Sequence, residues 1–273
     1  MTPPRMPIPT PSSATRSLAA RAAGLLAGLA LTAAVTGSSP VFAGDTPEPT
    51  VEQLLDATDD TSRGTSSHGF MTMEVKTDRY ERTMKMEVWT QGTEDSLIRI
   101  LVPAKDKGVS TLKVGENMWN YIPKIDKTLK IASTALSGSW MGSHITNDDL
   151  VKGSRMREDY SYVLSSKPAD NADQLYVIDL TPNEDAPVVW GKVSVRVRAD
   201  QQPKDIRYYD EDGALIRTLS FEDIKEMSGR TFATTMRVVP AETPEEFTVI
   251  RYEEMEFDVK LPARTFSIQS LKR

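Results

Sequence analysis

His68 and His144 are the only imidazoles in this 273-residue chain. With the acid pairs Asp148-Asp149, Glu245-Glu246 and Glu253-Glu254, they are the side chains whose types could move protons or hold a metal. Their spacing argues against both roles. Neither histidine has a partner at ligand spacing: His68 precedes a strand and His144 sits in a Gly/Ser-rich stretch, so a solvated or hydrogen-bonded ring is expected at each. Thr146 followed three positions on by Asp149 has the form of a helix N-cap, and Asn147 and Asp148 complement the helix start. Capping therefore accounts for the aspartates better than catalysis or calcium. The glutamate pairs read as turn and outer-face charge. With no cysteine, no Gly-rich phosphate loop and no nucleophile elbow, the chain reads as a non-enzyme needing no cofactor and no metal.

The first 43 residues have the parts of a secretory signal: Arg5, Arg16 and Arg21 without an acid, an apolar run from Ala22 to Val35, and a small-x-small site at Val41-Phe42-Ala43. That run is short of the roughly 20 residues of a membrane span, so cleavage after Ala43 is expected. Export to a compartment that permits disulfides uses none here, and no thiol is present for lipid attachment. Loss of the three arginines leaves about 30 basic against 39 acidic residues, a poor match for nucleic acid or an anionic membrane surface. A soluble exported protein, not a lipid-anchored one, is expected.

The elements that must position any site are mostly strands. After a short helix at "TVEQLLDATDD", with Thr50 and Gln53 as a capping box and Val51, Leu54 and Leu55 at helical spacing, alternating segments follow at about ten-residue intervals. They run from "GFMTMEVKT" to "NMWNYIP", then from "MREDYSYVLSS" to "EFTVIRYEEMEFDVK", some eleven or twelve in all. Such spacing suits antiparallel hairpins in one domain, 44–273. A single sheet of that width must curl strongly or close, since open twisted sheets rarely exceed about ten strands.

Parity puts Met71, Met73 and Val75, then Met84, Met86 and Val88, on one face, with Thr72, Glu74, Lys85 and Glu87 on the other. The same faces continue through Ile98 and Ile100, Trp119 and Tyr121, Val193, Val195 and Val197, and Val249 with Met255 and Phe257. Methionine accommodates variable apolar shapes, so this face is either ordinary core or the wall of a ligand hollow. Between the two runs of strands, "LSGSWMGSHITNDDLVKG" holds Trp140 and Met141 between small residues and ends in a short helix with Leu150 and Val151 on its apolar edge. It reads either as a mobile arm whose tip plugs the hollow or as a connection whose Trp completes the core.

The signal, the opening helix, the meander and above all "SGSWMGSHITNDDLVKGSR" resemble the outer-membrane lipoprotein-sorting proteins related to the periplasmic carrier LolA. The likeness covers about Val51 to Leu271. It implies a mainly β fold, a strongly curved antiparallel sheet forming an unclosed half-barrel with short helices as lid. It also implies a periplasmic location with only transient membrane contact, non-covalent carriage of lipoprotein acyl chains or phospholipid, exchange with an inner-membrane transporter of the ABC or RND type, and a basic residue in the cavity, with Arg79, Arg82 and Arg99 as candidates. The alternative role is an envelope sensor or transporter accessory that binds a protein partner. The ligand-binding residues implied are Met71, Met73, Met84, Met86, Val88, Ile98, Ile100, Trp119, Tyr121, Trp140, Met141 and Leu150.

Overall fold

The computed structural model describes residues 48–60, 63–153 and 155–272; the expected secretory signal lies outside them. Helix α1 (Val51–Asp60) starts where its cap dictates. The Thr50 N–H donates to Gln53 Oε1 at 2.9 Å and the Gln53 N–H returns to Thr50 Oγ1 at 3.3 Å, which satisfies donors the helix itself cannot. Leu54 and Leu55 are buried against the strands beneath.

Among the described residues the strands are β1 (Ser66–Lys76), β2 (Glu81–Gln91), β3 (Asp95–Val102), β4 (Ser110–Val114), β5 (Asn117–Ile122), β6 (Lys127–Lys130), β7 (Tyr160–Ser166), β8 (Leu175–Pro182), β9 (Lys192–Arg198), β10 (Pro203–Tyr209), β11 (Leu215–Met227), β12 (Arg230–Pro240) and β13 (Phe247–Phe257). All thirteen belong to one unclosed antiparallel sheet, in the order β6-β5-β4-β3-β2-β1-β13-β12-β11-β10-β9-β8-β7. The mainly β, open-barrel architecture is the expected one. Its free edges are β6 and β7, neighbours in the chain, while the first and last strands pair. The strand beyond the expected twelve is β6, whose sequence KTLK reads as a turn; lysines suit an edge that must not recruit another strand. Conversely Met156–Asp159, read as the start of β7, forms a helical turn, α3.

The register lines up side chains in rungs across β1, β2 and β3. Ser67, Thr90 and Ser96 form one rung; Gly69, Val88 and Ile98 the next; Met71, Met86 and Ile100 the third; Met73 faces Met84 beyond them. Met73, Met84 and Met86 are 0% exposed, each worth about 1.5–3 kcal/mol of apolar burial. The opposite face carries the expected charge: Glu74 pairs with Arg251 at 3.1 Å and Lys85 with Glu253 at 2.6 Å.

Two parity readings fail, for identifiable reasons. Where β1 meets β13, Met71 pairs with Tyr252 but Phe70 with Glu254, so Glu253 is an inserted bulge residue. The bulge reverses alternation along β13: Met255 and Phe257 join the methionine cluster with Ile250 and Tyr252, while Val249 turns away from it. Trp119 and Tyr121 are also displaced from the face assigned to them. Met118 takes the methionine side of β5, and Trp119 and Tyr121 pack with Leu97, Leu112 and Leu271 on the outer side, under the 3-10 turns Ala263–Phe266 and Ile268–Lys272. Where a tail covers the outside, both faces of a strand are buried and alternation no longer identifies the inner one.

Gly69 lies beside the bulge. An added Cβ would collide with the Glu254 carbonyl oxygen and the Met255 sulfur. Gly69→Ala is expected to cost about 1–3 kcal/mol in urea unfolding, the range for overpacking. A change under half a kilocalorie, roughly the size of an ordinary surface substitution, would show that β13 yields freely there.

Candidate binding cavity

A cavity of about 210 Å³ lies on the inner face of the sheet. Met71, Val88 and Ile98 form one wall, Leu219, Phe221 and Met236 another, and Ile250, Tyr252 and Met255 the floor between them. The segment joining β6 to β7 covers it with Trp140, Ile145, Leu150 and Met156. One end is polar: Thr58, Arg63, Ser67, Thr90 and Ser96. These five escaped the sequence reading, although Ser67, Thr90 and Ser96 continue the very parity that marked Met71, Val88 and Ile98.

Of the residues implied by sequence, the fold brings Met71, Met73, Met84, Met86, Val88, Ile98, Ile100 and Trp140 into one cluster, with Met141 and Leu150 packed against it. Met71, Val88, Ile98, Trp140 and Leu150 reach the cavity; Met73, Met84, Met86, Ile100 and Met141 do not line it, and Trp119 and Tyr121 lie on the other side of the sheet.

The covering segment is fastened more firmly than its composition suggests. Trp140 is 1% exposed, and its indole Nε1–H donates to Thr111 Oγ1 at 3.1 Å. Its backbone folds into a small hairpin: Trp140 N–H to Ile145 O at 2.7 Å and Asn147 N–H to Gly138 O at 3.0 Å. Met141 (φ 51°) and Gly142 (φ 70°) take left-handed conformations at the tip, and the Tyr80 hydroxyl donates to the Gly142 carbonyl. Helix α2 (Asn147–Lys152) follows, with the expected capping box: Asp149 N–H to Thr146 Oγ1 at 3.1 Å and Thr146 N–H to Asp149 Oδ2 at 2.7 Å.

Arg217 of β11 ties this segment to the wall. It donates to Asp149 Oδ2 at 2.8 Å and to Asp149 Oδ1 as well, and to the His144 carbonyl at 3.0 Å, while its guanidinium lies over the rings of Tyr208 (4.4 Å) and Trp190 (4.6 Å). The three arginines considered from sequence lie elsewhere. Arg79 is exposed beside Asp78, Arg82 stands at the far end of the methionine row without lining the cavity, and Arg99 lies over Trp89 and donates to Ser270 O on the outer side. Period two along β11 groups Arg217 with Leu219 and Phe221, but a charge in such a row reads as an intruder rather than as a latch.

Both histidines are hydrogen-bonded. His144 Nδ1 is 2.9 Å from Thr248 Oγ1 and Nε2 is 3.2 Å from Glu246 Oε2; His68, inside β1 rather than before it, is 3.0 Å from Glu87 Oε1. Among the described residues no group of His, Cys, Asp or Glu could hold a metal, and no helix is long and apolar enough to cross a membrane.

Asp258 anchors the turn that carries Arg63. Thr65 donates to Asp258 Oδ1 through its hydroxyl (2.7 Å) and its N–H (3.0 Å), and Arg230 donates to Oδ2 (2.8 Å). These bonds, the Thr65 hydroxyl foremost, hold the Asp258 carboxyl down to about 2. A depressed carboxylate stabilises the fold above its unfolded value of about 4 and loses that contribution as pH falls towards 2. The stability difference between wild type and Asp258→Asn should therefore shrink from pH 5 to pH 2 in urea titrations; a difference constant over that window would contradict the assignment.

A protein-family model described as "Uncharacterized protein" matches residues 92–273. Among solved structures, the chain is similar to a domain assigned to outer membrane lipoprotein sorting from Vibrio parahaemolyticus (22% identity, TM-score 0.68, 81% of this chain and 96% of that one). It is similar to a DUF1329 family protein from Desulfovibrio piger (24%, 0.70, 80% and 96%) and to a LolA superfamily protein from Nitrosomonas europaea (22%, 0.67, 81% and 99%). No curated protein matches the sequence.

Proposed function

We propose, because the chain belongs to the family matched over residues 92–273 and has the LolA-like fold, that it is a periplasmic carrier of acyl chains. In this reading residues 1–43 direct export. The protein takes lipid or lipoprotein chains into the cavity, gives them up without covalent chemistry, and receives them from an inner-membrane transporter. The observation that carries the reading is the cavity itself: an apolar hollow on the concave face, roofed by a buried tryptophan on a segment that joins the two free edges of the sheet.

Its size supports a closed state. A volume of about 210 Å³ is below the roughly 300–1,000 Å³ of sites that hold drug-sized ligands, so cargo must displace side chains that now fill part of the hollow. In this reading Trp140, the largest side chain of the roof, is the one that moves, and Met141 travels with it at the tip of the segment.

Mild purification followed by organic extraction and mass spectrometry is expected to recover lipid in near-stoichiometric amount, and the emptied protein is expected to take up a fluorescent fatty acid. A dry protein that takes up no fatty acid would end the carrier reading. Recovery of a stoichiometric protein partner with no lipid would instead favour the sensor or accessory role.

A further inference from the structure

We infer that the cargo is an amphiphile with an anionic head, seated with that head at the Arg63 end of the cavity and its chain directed at the methionines. This rests on the carrier reading above and gives it a polarity.

The first support is the order of the rungs. Ser67, Thr90 and Ser96 present hydroxyls at one level, Val88 and Ile98 are apolar at the next, and Met71 lines the third, backed by Met86 and Ile100 behind the cavity wall. From the hydroxyl rung to the methionine rung is about 13 Å of strand, a gradient from polar to apolar along one wall. The Ser67 and Thr90 hydroxyls are 2.7 Å apart, so one donates to the other and a hydroxyl proton remains for a ligand. Thr58, from α1, also lines this end, but its hydroxyl donates to the Leu54 carbonyl at 3.0 Å and leaves no proton for a ligand.

Charge is the second support. The lining contains three charged side chains, Arg63, Asp149 and Arg217. Asp149 and Arg217 neutralise each other in a two-pronged ion pair. Among the described residues Arg63 has no ion pair or hydrogen bond, and no other side chain of the lining at the hydroxyl end carries a charge to oppose it. Buried Lys113 stands close by, its amine donating to the Thr93 carbonyl at 2.5 Å. Burial first lowers its pKa; Glu94 opposes that and the like charge of Arg63 adds to it. Lys113 does not line the cavity, so its charge adds to the positive field at this end while Arg63 is the cation that can meet an anion directly; charge-assisted hydrogen bonds are about twice as strong as neutral ones.

A carboxylate and a phosphate monoester share the chemistry this end recognises. The test is displacement of a fluorescent fatty acid from the purified protein by three unlabelled saturated amphiphiles of one chain length: a fatty acid, an alkyl phosphate and an alcohol. Both anions should compete at concentrations about tenfold below the alcohol, with the margin narrowing as salt is raised. Arg63→Gln should bring all three to within about twofold by weakening the two anions far more than the alcohol, and Arg63→Lys should keep most of the margin.

Equal competition by the alcohol in the wild type would overturn the inference, and so would a margin unchanged in Arg63→Gln. Inorganic phosphate displacing the probe as well as the alkyl phosphate would overturn it in favour of a free-anion site. If Arg63→Gln does not fold, the wild-type comparison and Arg63→Lys decide the question. Failure of every amphiphile and of the probe to bind removes the carrier reading itself, an outcome distinct from binding without head-group preference.

Discussion

Trp140→Ala is expected to lower the unfolding free energy by about 3–5 kcal/mol, the range for deleting a large aromatic from a packed interior. The side chain is 1% exposed and lies within the cluster of Met71, Met73, Met84, Met86 and Met118. Packing dominates over the lost hydrogen bond: Thr111, which accepts from the indole, still donates to Asn120 Oδ1 at 2.7 Å, so only about 1 kcal/mol belongs to the polar contact. Trp140→Phe should accordingly retain most of the stability. The alanine variant should also bind an environment-sensitive dye more strongly, because the roof of the cavity has lost its largest side chain. Urea unfolding and dye titration check both effects. A stability loss under about 1 kcal/mol with unchanged dye binding would mean that the indole does not hold the roof down. A large loss with unchanged fatty-acid uptake would make Trp140 fixed core rather than part of a gate.

Arg217→Ala should be comparably severe. Removing one partner of a buried ion pair costs about 3–5 kcal/mol because the other charge is left without compensation. Arg217 has a side chain 8% exposed and Asp149 one 20% exposed, so solvent screens the pair little. The variant also frees the His144 carbonyl and uncovers the rings of Tyr208 and Trp190. Hydrogen exchange should accelerate first across residues 144–152, which Arg217 fastens to β11. Arg217→Met combined with Asp149→Leu should recover part of the loss, since no stranded charge remains. Recovery should be incomplete, because Asp149 also caps α2, a role worth about 1 kcal/mol. Uniform exchange across the protein, or additive losses in the double variant, would show that the pair is not what holds the segment.

The sequence made some of this legible and hid the rest for physical reasons. Both capping boxes, at Thr50 and at Thr146, were readable because each is a bond between residues three apart. The methionine face was readable because β1 and β2 run unbroken in register, Met71 opposite Met86 and Met73 opposite Met84. Val249 was misplaced because one inserted residue, Glu253, reverses alternation without leaving a signal in composition. Trp119 and Tyr121 were misplaced because the C-terminal turns that cover them are about 150 residues away in the chain. Arg217 was missed since its partner, Asp149, is 68 residues distant: alternation sets the arginine in the row of Leu219 and Phe221, but nothing nearby in the chain shows what would pair with it there.

Residue types and their order, acting over a few positions, determined all the strands but the short edge strand β6, where the two capped helices start, and that the chain winds as an antiparallel meander. Only the tertiary structure decided where that meander stays open. The first and last strands join, with Thr65 held to Asp258 across 193 residues, and the gap falls instead between β6 and β7, so the segment carrying Trp140 must pass over the hollow. Strand pairing over such separations is chosen by the summed burial of whole faces, a quantity no short window of sequence contains.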